Sequence, residues 1–312
     1  MRKPLIAVVA LSAATLITPP PAHAESWRAM TAVRHPMGLA IDLRGNPTGS
    51  KWVYTLDYYA NRVVKFGTGG KQLGSWPYNA ETRYKLGRGL AVGGAGNVFV
   101  ADGTSGRVLK FDPFGKKLAQ FSPFQLPRAV AVDRAGNMYV AEQRGLRVTK
   151  LSPSGTVLAR WNTPWANGAG SSAPFAIALD RQGNVYVAVS CLVASCKDDH
   201  ADTPEAVLKL NSSGVLQSSL VGGTPHGGWA KEEEPWVVLD SITVDRTDNL
   251  YVGGLLRGTG NTLSYGVLVY ASGSNGTARY TLPRWATVSG LAVDGQGTIY
   301  VVQADRALRL RR

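Results

Sequence analysis

Cysteine is nearly absent from this sequence, which has only Cys191 and Cys196 in 312 residues. A zinc site would need more cysteines or nearby histidines, and a redox pair usually has two residues between its cysteines rather than four. Neither cysteine lies near the N-terminus, so a lipid anchor on an N-terminal cysteine is excluded. In an oxidising compartment we expect Cys191 and Cys196 to form a disulfide bridge that holds a short loop.

Other features are also scarce. Acidic residues number 21 against 34 basic ones, which gives a net charge of +13 and excludes an acidic solvating protein. There is no long apolar run after the first two dozen residues, no Gly-x-Ser-x-Gly elbow, no phosphate-binding Gly-Lys loop and no His-Glu-x-x-His helix motif. The chain is therefore expected to meet anionic surroundings, without the motifs of the commonest hydrolases and nucleotide-binding proteins.

The N-terminus has the three parts of a secretory leader. Met1-Arg2-Lys3 is basic, Leu5 to Ile17 is apolar, and Ala22-His23-Ala24 is a small-x-small cleavage site. Thirteen apolar residues span only about 20 Å of a roughly 30 Å hydrocarbon core, which argues against a membrane anchor. We therefore expect cleavage after Ala24, a single domain over residues 25–312, and a location that is secreted, periplasmic or at the cell envelope.

A short pattern of small and apolar residues recurs six times along the rest of the chain. Its copies are Gly38-Leu39-Ala40-Ile41-Asp42, Gly89-Leu90-Ala91-Val92-Gly93, Ala129-Val130-Ala131-Val132-Asp133, Ala176-Ile177-Ala178-Leu179-Asp180, Ser241-Ile242-Thr243-Val244-Asp245 and Gly290-Leu291-Ala292-Val293-Asp294. Each copy is followed by a segment such as Asn137-Met138-Tyr139-Val140, then by one such as Arg147-Val148-Thr149-Lys150-Leu151, and then by a further strand. The repeat predicts four short antiparallel strands per unit.

Six such units predict an all-β fold, a six-bladed β-propeller with four-stranded blades. The small residues of the first strand suit a crowded central channel, and Asp-x-x-Gly-Asn segments such as Asp133 to Asn137 suit tight hairpin turns. The last unit has three strands, so we expect Glu25 to Thr31 to supply its fourth strand and close the ring, which leaves no free sheet edge.

The repeat closely resembles the NHL family of six-bladed propellers, most clearly at Arg88 to Phe111 and Arg128 to Leu151. The resemblance implies the fold much more strongly than the function. Propellers of this type and related ones include receptor ectodomains, RNA-binding domains, peptide-amidating lyases, streptogramin-type lyases and calcium-dependent lactonases.

Three acidic residues at the ends of second strands have an arginine five positions later. They are Asp57 with Arg62, Asp102 with Arg107, and Glu142 with Arg147. The common spacing predicts ion pairs within each repeat rather than ligand-binding carboxylates.

Arginines and aromatic residues fall in the long connections and just before first strands, where loops on a repeat scaffold carry function. The predicted ligand-binding residues are Arg34, His35, Arg88, Arg128, Arg284, Trp165, Trp229 and Trp236. The arginines would ring one mouth of the channel, whereas the tryptophans would either bind a ligand or pack between blades. We expect a monomeric binding module for an anionic or carbohydrate-bearing extracellular partner. No nucleic acid partner is expected, because a secretory leader removes the chain from the cytoplasm.

The alternative is a metal-assisted enzyme. The resemblance to streptogramin-type lyases and lactonases implies a histidine base, a carboxylate and a divalent cation, for which His226, Glu232 and Glu234 are the catalytic candidates. Asp198, Asp199 and Asp202 would either hold a hard cation or form a solvated loop. The peptide-amidating lyases bind zinc through histidines from several blades, and this chain lacks that set.

Overall fold

The computed structural model describes residues 28–30, 33, 35–44, 52–78, 89–164, 170–191, 205–221, 236–257, 263–272, 277–282, 287–303 and 306–310. Within these ranges the chain forms β-strands arranged in antiparallel four-stranded sheets. The fold is all-β, a β-propeller with four-stranded blades. Nothing helical in the described ranges is long and apolar enough to cross a membrane.

The strands follow the predicted repeat, four to a sheet. The first sheet holds β2 (Pro36–Asp42), β3 (Trp52–Asp57), β4 (Arg62–Gly67) and β5 (Gln72–Pro77). The second holds β6 (Leu90–Val92), β7 (Val98–Asp102), β8 (Arg107–Phe111) and β9 (Lys117–Phe121). The third holds β10 (Pro127–Val132), β11 (Met138–Glu142), β12 (Arg147–Leu151) and β13 (Val157–Asn162).

The later sheets are longer and less regular. The fourth holds β14 (Ser172–Leu179), β15 (Val185–Cys191), β16 (Glu205–Leu210) and β17 (Leu216–Val221). The fifth holds β18 (Trp236–Val244), β19 (Leu250–Arg257), β20 (Leu263–Tyr270) and β21 (Thr277–Thr281). The last one described joins β22 (Gly290–Val293), β23 (Ile299–Gln303) and β24 (Arg306–Leu310) to β1 (Arg28–Met30), which pairs antiparallel with β24.

In the third sheet burial decreases from the second strand to the fourth. All five residues of β11 are buried, whereas β13 alternates between exposed and half-buried positions. The second strand of each unit is covered on both faces by neighbouring sheets, and for this reason its sequence is continuously apolar rather than alternating. The fourth strand faces solvent, and its exposed positions hold both polar residues, such as Arg160 and Asn162, and apolar ones, such as Val157 and Leu158.

The apolar core is divided into clusters that each lie between two adjacent sheets. One cluster joins Tyr54 and Leu56 of the first sheet to Val98 and Val100 of the second. Another joins Phe66 of the first sheet to Tyr300 of the last one. Stability therefore comes from contacts between sheets as well as from pairing within each sheet.

The inner strands approach each other so closely that some positions accept only glycine. A Cβ atom at Gly89 would lie 2.4 Å from the Cα atom of Ala129 on the next inner strand. A Cβ atom at Gly290 would lie 2.7 Å from the carbonyl carbon of Gly38. These distances explain why the first strand of each unit is built from small residues, as the sequence predicted.

The Asp-x-x-Gly-Asn segments form the predicted hairpin turns. The Asp133 carboxylate accepts hydrogen bonds at 2.8 Å from both the backbone N–H and the side-chain amide of Asn137, and Gly136 has a φ of +86°. Asp180 and Asn184 repeat this arrangement in the fourth sheet. The carboxylates at these turns therefore hold the backbone, as Asx residues do in tight turns.

Strand boundaries in the fifth sheet differ from the sequence expectation. The strands of this sheet extend beyond the short segments of the sequence repeat, because β18 begins at Trp236, β19 continues to Arg257 and β20 begins at Leu263. The extra residues of β18 and β19 pair with each other through two register shifts, which a pattern search on five-residue segments misses.

Candidate functional site

The inner strands surround a central channel with a volume of about 430 Å³. Most of its wall is formed by short apolar residues, as in Leu90-Ala91-Val92 and Ala129-Val130-Ala131-Val132. Polar and charged groups lie at the end where the inner strands begin, which we call the mouth. His35, Arg128, Asp240, Thr287 and Ser289 all line the channel. The mouth is therefore the part of the channel that can recognise a polar ligand.

A bulge at the start of several inner strands places one side chain at the mouth. In β10 the register shifts between Pro127 and Ala129, so Arg128 is the inserted residue of a bulge and lines the channel. Phe175 and Asp240 occupy the same position in the fourth and fifth sheets. A bulge reorients a side chain in this way because it inserts one residue into only one of the paired strands.

Arg128 is the one predicted arginine of the ring that falls within the described residues. It lies inside strand β10 rather than before it, and it lines the channel. Sequence reasoning missed Asp240, although its signal was available: Asp240 precedes Ser241-Ile242-Thr243-Val244-Asp245 as Arg128 precedes Ala129-Val130-Ala131-Val132-Asp133. The bulge position is thus basic in the third sheet and acidic in the fifth.

An aromatic cluster stands beside the channel on the first sheet. The ring centroids of His35 and Tyr59 are 5.0 Å apart, those of His35 and Tyr58 are 5.6 Å apart, and those of Tyr58 and Tyr59 are 5.4 Å apart. The backbone N–H of Tyr58 donates to the His35 carbonyl at 3.0 Å, which fixes the two segments together. Tyr59 is 67% exposed and so presents a ring surface at the mouth.

Sequence reasoning selected His35 but missed Tyr58 and Tyr59. The second sheet has Gly103 and Thr104 at the equivalent turn, and the third has Gln143 and Arg144. Comparison of the three turns would have shown that the tyrosines are not needed by the fold. Their contact with His35 could not be seen, because it joins segments about 23 residues apart along the chain.

The predicted ion pairs within the first three repeats are confirmed. The shortest N–O distance is 3.0 Å for Arg62 and Asp57, 2.9 Å for Arg107 and Asp102, and 2.8 Å for Arg147 and Glu142. Each pair joins the last residue of the second strand to the first residue of the third. These buried carboxylates are therefore engaged in structural interactions.

Glu142 is the most heavily engaged of the three. Its carboxylate accepts hydrogen bonds from two nitrogens of Arg147, from the Thr149 hydroxyl at 2.5 Å and from the backbone N–H of Gln125 at 2.7 Å. Burial acts to raise the pKa of Glu142, but the hydrogen bonds from Arg147, Thr149 and Gln125 outweigh it and leave the pKa lowered. Glu142 is therefore held in its charged form.

The fourth sheet departs from this arrangement. Ser190 and Glu205 occupy the register position of the acid and the arginine, so the carboxylate has moved to the third strand. Its Oε2 atom accepts a hydrogen bond from the backbone N–H of Leu239 on the fifth sheet at 2.5 Å. Burial, together with the nearby charge of Asp240, raises the pKa of Glu205 to about 7, against the opposing effect of the Leu239 hydrogen bond.

Asp240 links the acidic side of the mouth to the next sheet. Its Oδ2 atom accepts a hydrogen bond from the backbone N–H of Val288 at 2.9 Å. Burial and then the charge of Asp240 raise the pKa of the Tyr265 hydroxyl as well. Glu205 and Asp240 thus form an acidic pair, with the neutral Tyr265 hydroxyl near Asp240, whereas Arg128 is basic.

The described residues do not complete a metal site. No group of three or more His, Cys, Asp or Glu side chains within the described ranges is placed to hold a metal ion. Glu205 and Asp240 carry carboxylate oxygens of the kind that hard cations prefer.

Most of the other predicted site residues also lie outside the described residues. These are Arg34, Arg88, Arg284, Trp165, Trp229, His226, Glu232, Glu234, Asp198, Asp199, Asp202 and Cys196. The backbone of Trp236 begins β18 and that of Cys191 ends β15. The predicted disulfide and the loop sites remain predictions.

Comparison with known proteins supports the fold and leaves the function open. No family model and no curated protein matches the chain. Among solved structures, a streptogramin B lyase matches with a TM-score of 0.57 and 13% identity, over 92% of this chain and 97% of that one. A gluconolactonase from Xanthomonas campestris matches with a TM-score of 0.59 and 16% identity, over 92% and 90%. U3-55K matches with a TM-score of 0.60 and 10% identity, over 92% and 99%. Two of these similar structures are enzymes by name and one is not, so the similarity shows a β-propeller alone.

Proposed function

We propose that this chain is a secreted NHL-type propeller that binds an acidic carbohydrate at the mouth of its channel. In this proposal the leader is removed after Ala24 and the remaining chain is a monomeric ring of six blades, closed by the strand that begins near Glu25. Closure is supported by the pairing of β1 with β24, by a 2.9 Å hydrogen bond from the Gly38 N–H to the Ser289 carbonyl, and by the apolar cluster between the first and last sheets.

The observation that carries the binding function is the placement of Arg128 and the aromatic cluster at one mouth. Arg128 and His35 line the same channel, and Tyr59 exposes its ring beside His35. A guanidinium group binds carboxylates through paired hydrogen bonds, and an exposed aromatic ring packs against the C–H face of a sugar. A pyranose that carries a carboxylate supplies both complementary groups.

The binding proposal predicts separable contributions from charge and from the aromatic ring. Arg128→Ala should weaken binding of an oligomer of galacturonic acid by roughly tenfold or more and reduce its salt dependence, since a charge-assisted hydrogen bond is lost. Tyr59→Ala should weaken binding by about fivefold, and Tyr59→Phe should restore it because the ring remains. Titration calorimetry at two salt concentrations measures all of these.

Arg160→Ala is the matched control for Arg128. It removes the same charge from an exposed position of outer strand β13, away from the mouth. If Arg160→Ala and Arg128→Ala weaken binding equally, attraction is due to net charge alone and the mouth is not the site.

A second candidate function is a metal-assisted lyase or lactonase. Glu205 favours it, because a carboxyl group with a pKa near 7 suits general acid–base chemistry. Asp240, and not Glu205, would then supply an oxygen ligand to the cation. A cation there would take further ligands from the loops that carry His226, Glu232 and Glu234. The purified protein would then contain a divalent metal and lose lactone- or ester-cleaving activity in EDTA. A protein that is metal-free by elemental analysis and inactive after addition of calcium, magnesium or zinc would exclude this function.

A further inference from the structure

The turns between third and fourth strands lie at the end of the propeller opposite the mouth, and they share one backbone arrangement. In the second sheet the N–H of Asp112 donates to the Lys116 carbonyl and that of Gly115 to the Asp112 carbonyl. The same pair of hydrogen bonds recurs in the first, third and fourth sheets, at Gly67 to Lys71, Ser152 to Thr156 and Asn211 to Val215. Their tip residues can therefore be compared directly.

The second sheet alone among these four has a large apolar tip. Phe114 occupies the position held by Gly69, Ser154 and Ser213 in the other turns, and it is 80% exposed. The same turn therefore forms with serine or glycine at this position, and the fold does not require phenylalanine there. The Phe114 ring meets the Trp52 ring edge-on at a centroid distance of 6.4 Å and lies 5.2 Å from the Lys65 ammonium group, but most of its surface is open to solvent. An aromatic ring exposed to this extent indicates a surface contact.

The backbone beneath Phe114 is held rigidly. The Asp112 carboxylate accepts hydrogen bonds from the N–H groups of Phe114 at 2.8 Å and Lys116 at 2.9 Å. Lys65 of the first sheet donates to the Pro113 carbonyl at 3.1 Å, and its ammonium group lies 3.2 Å from the centroid of the Trp52 ring. The turn is thus fixed to both sheets while the Phe114 ring projects outward.

Lysines and leucines near Phe114 in the chain and on the neighbouring turn are also exposed. Lys116 follows Phe114 in the same turn, Lys117 begins β9, and Leu118 is 47% exposed. On the neighbouring sheet Lys71 is exposed and Leu73 is 50% exposed. Lys117 donates to Gln120 at 2.9 Å, a contact at the surface that leaves its charge in place. We call Lys71, Leu73, Phe114, Lys116, Lys117 and Leu118 the Phe114 tip.

We infer that the Phe114 tip docks the propeller on a membrane surface that contains anionic lipid. A convex tip with an aromatic ring flanked by lysines fits a headgroup layer, into which the ring and leucines insert while the ammonium groups meet lipid phosphates. Each lysine near an anionic surface raises partitioning roughly fivefold, so three lysines support reversible, salt-sensitive attachment. Docking at this end leaves the channel mouth facing away from the membrane.

Vesicle co-sedimentation tests the inference with a chain that starts at Glu25, because the apolar run before it would itself partition into lipid. This chain should bind vesicles of phosphatidylcholine and phosphatidylglycerol (3:1), and not pure phosphatidylcholine, with affinity that falls as salt rises. Phe114→Ser, which installs the residue found in the third and fourth turns, should weaken binding at least about fivefold. Lys116→Gln combined with Lys117→Gln should weaken it roughly twentyfold.

Leu158→Ser is the control for loss of an exposed apolar side chain, because Leu158 is 53% exposed at the position that Leu118 has in the second sheet, and the turn before it has no lysine. It should leave vesicle binding unchanged. The inference is overturned if the chain does not bind the anionic vesicles, or if Phe114→Ser and Leu158→Ser have equal effects. It is also overturned if Phe114→Ser weakens binding only to an acidic protein partner and not to vesicles. Unchanged circular dichroism spectra of the variants ensure that these comparisons concern the folded protein.

Discussion

The carboxylates on the two sides of the channel mouth have different hydrogen-bond partners. In the first three sheets each acid at the end of the second strand is paired with an arginine on the third strand, and Arg128 adds a positive charge at the channel. In the fourth and fifth sheets Glu205 and Asp240 instead accept hydrogen bonds from the backbone of a neighbouring sheet. The acid–arginine pair is thus present in the first three sheets and is absent where Glu205 and Asp240 lie close together.

This difference in partners gives Glu142 and Glu205 pKa shifts of opposite direction. A carboxylate paired within its own repeat is stabilised in the charged form, as the lowered pKa of Glu142 shows. Glu205 is half-buried beside a like charge, and its pKa is raised to about 7. A group that changes its charge near neutral pH is suited to regulation of binding or to proton transfer, whereas a permanently paired group is not.

The largest effect is expected from removal of the structural acid. Glu142→Ala should lower the free energy of unfolding by about 4 kcal/mol, because Arg147, Thr149 and the Gln125 N–H all lose their partner in a buried setting. Urea denaturation at pH 7 measures this loss. Glu142→Gln keeps the shape of the side chain and should be less damaging. A loss below about 1 kcal/mol for Glu142→Ala would show that the paired side of the mouth is not held by this carboxylate.

A second effect should appear in the pH dependence of stability, with opposite signs on the two sides. The folded-state pKa of Glu205 lies above its unfolded value, so its contribution is fully present below about pH 4.5 and is lost as pH rises through about 7. Glu142 has a lowered folded-state pKa, so its contribution is present above about pH 4.5 and is lost at lower pH.

Urea denaturation curves from pH 5 to pH 8 measure the contribution of Glu205 to the free energy of unfolding. The parent chain should lose up to about 3 kcal/mol from this residue over that range. Glu205→Gln should remove this loss, since an amide does not ionise and can still accept the Leu239 hydrogen bond. An identical pH profile for the parent and Glu205→Gln would refute the raised pKa.

The smallest effect concerns the charge contrast between the two sides. Asp240→Asn should strengthen binding of the galacturonic acid oligomer by about threefold at low salt, because a negative charge that repels the ligand is removed while an oxygen remains for the Val288 N–H. Calorimetry at 20 and 200 mM salt should show that the gain disappears as salt rises. Weaker binding of Asp240→Asn would place the ligand against Asp240 rather than against Arg128.

The features that could be predicted from the sequence are the local ones. The recurring small-residue segments, the Asp133 to Asn137 turn and the Glu142–Arg147 pair each depend on residues only a few positions apart, and the structure has them as expected. The turn and strand preferences of such segments depend on a few neighbouring residues, so these segments can be predicted without the rest of the chain.

The arrangement of the mouth could be predicted only in part. The sequence places Arg128 just before a predicted first strand, which suggests a position at the channel. The bulge that turns its side chain to the channel depends on pairing with the next strand, and this pairing is not visible in the sequence. The contact of His35 with Tyr59 and that of Glu205 with the Leu239 N–H join distant segments, so no spacing pattern reveals them. Sites built between repeats are less visible in sequence than the repeats themselves.

The most direct test of the binding account is a crystal structure of the chain soaked with an oligomer of galacturonic acid. The account predicts a sugar ring packed on Tyr59 and a sugar carboxylate within hydrogen-bond distance of Arg128 at the channel mouth. Sugar density only on the outer strands or at the opposite end, or an empty mouth at a saturating concentration, would contradict it.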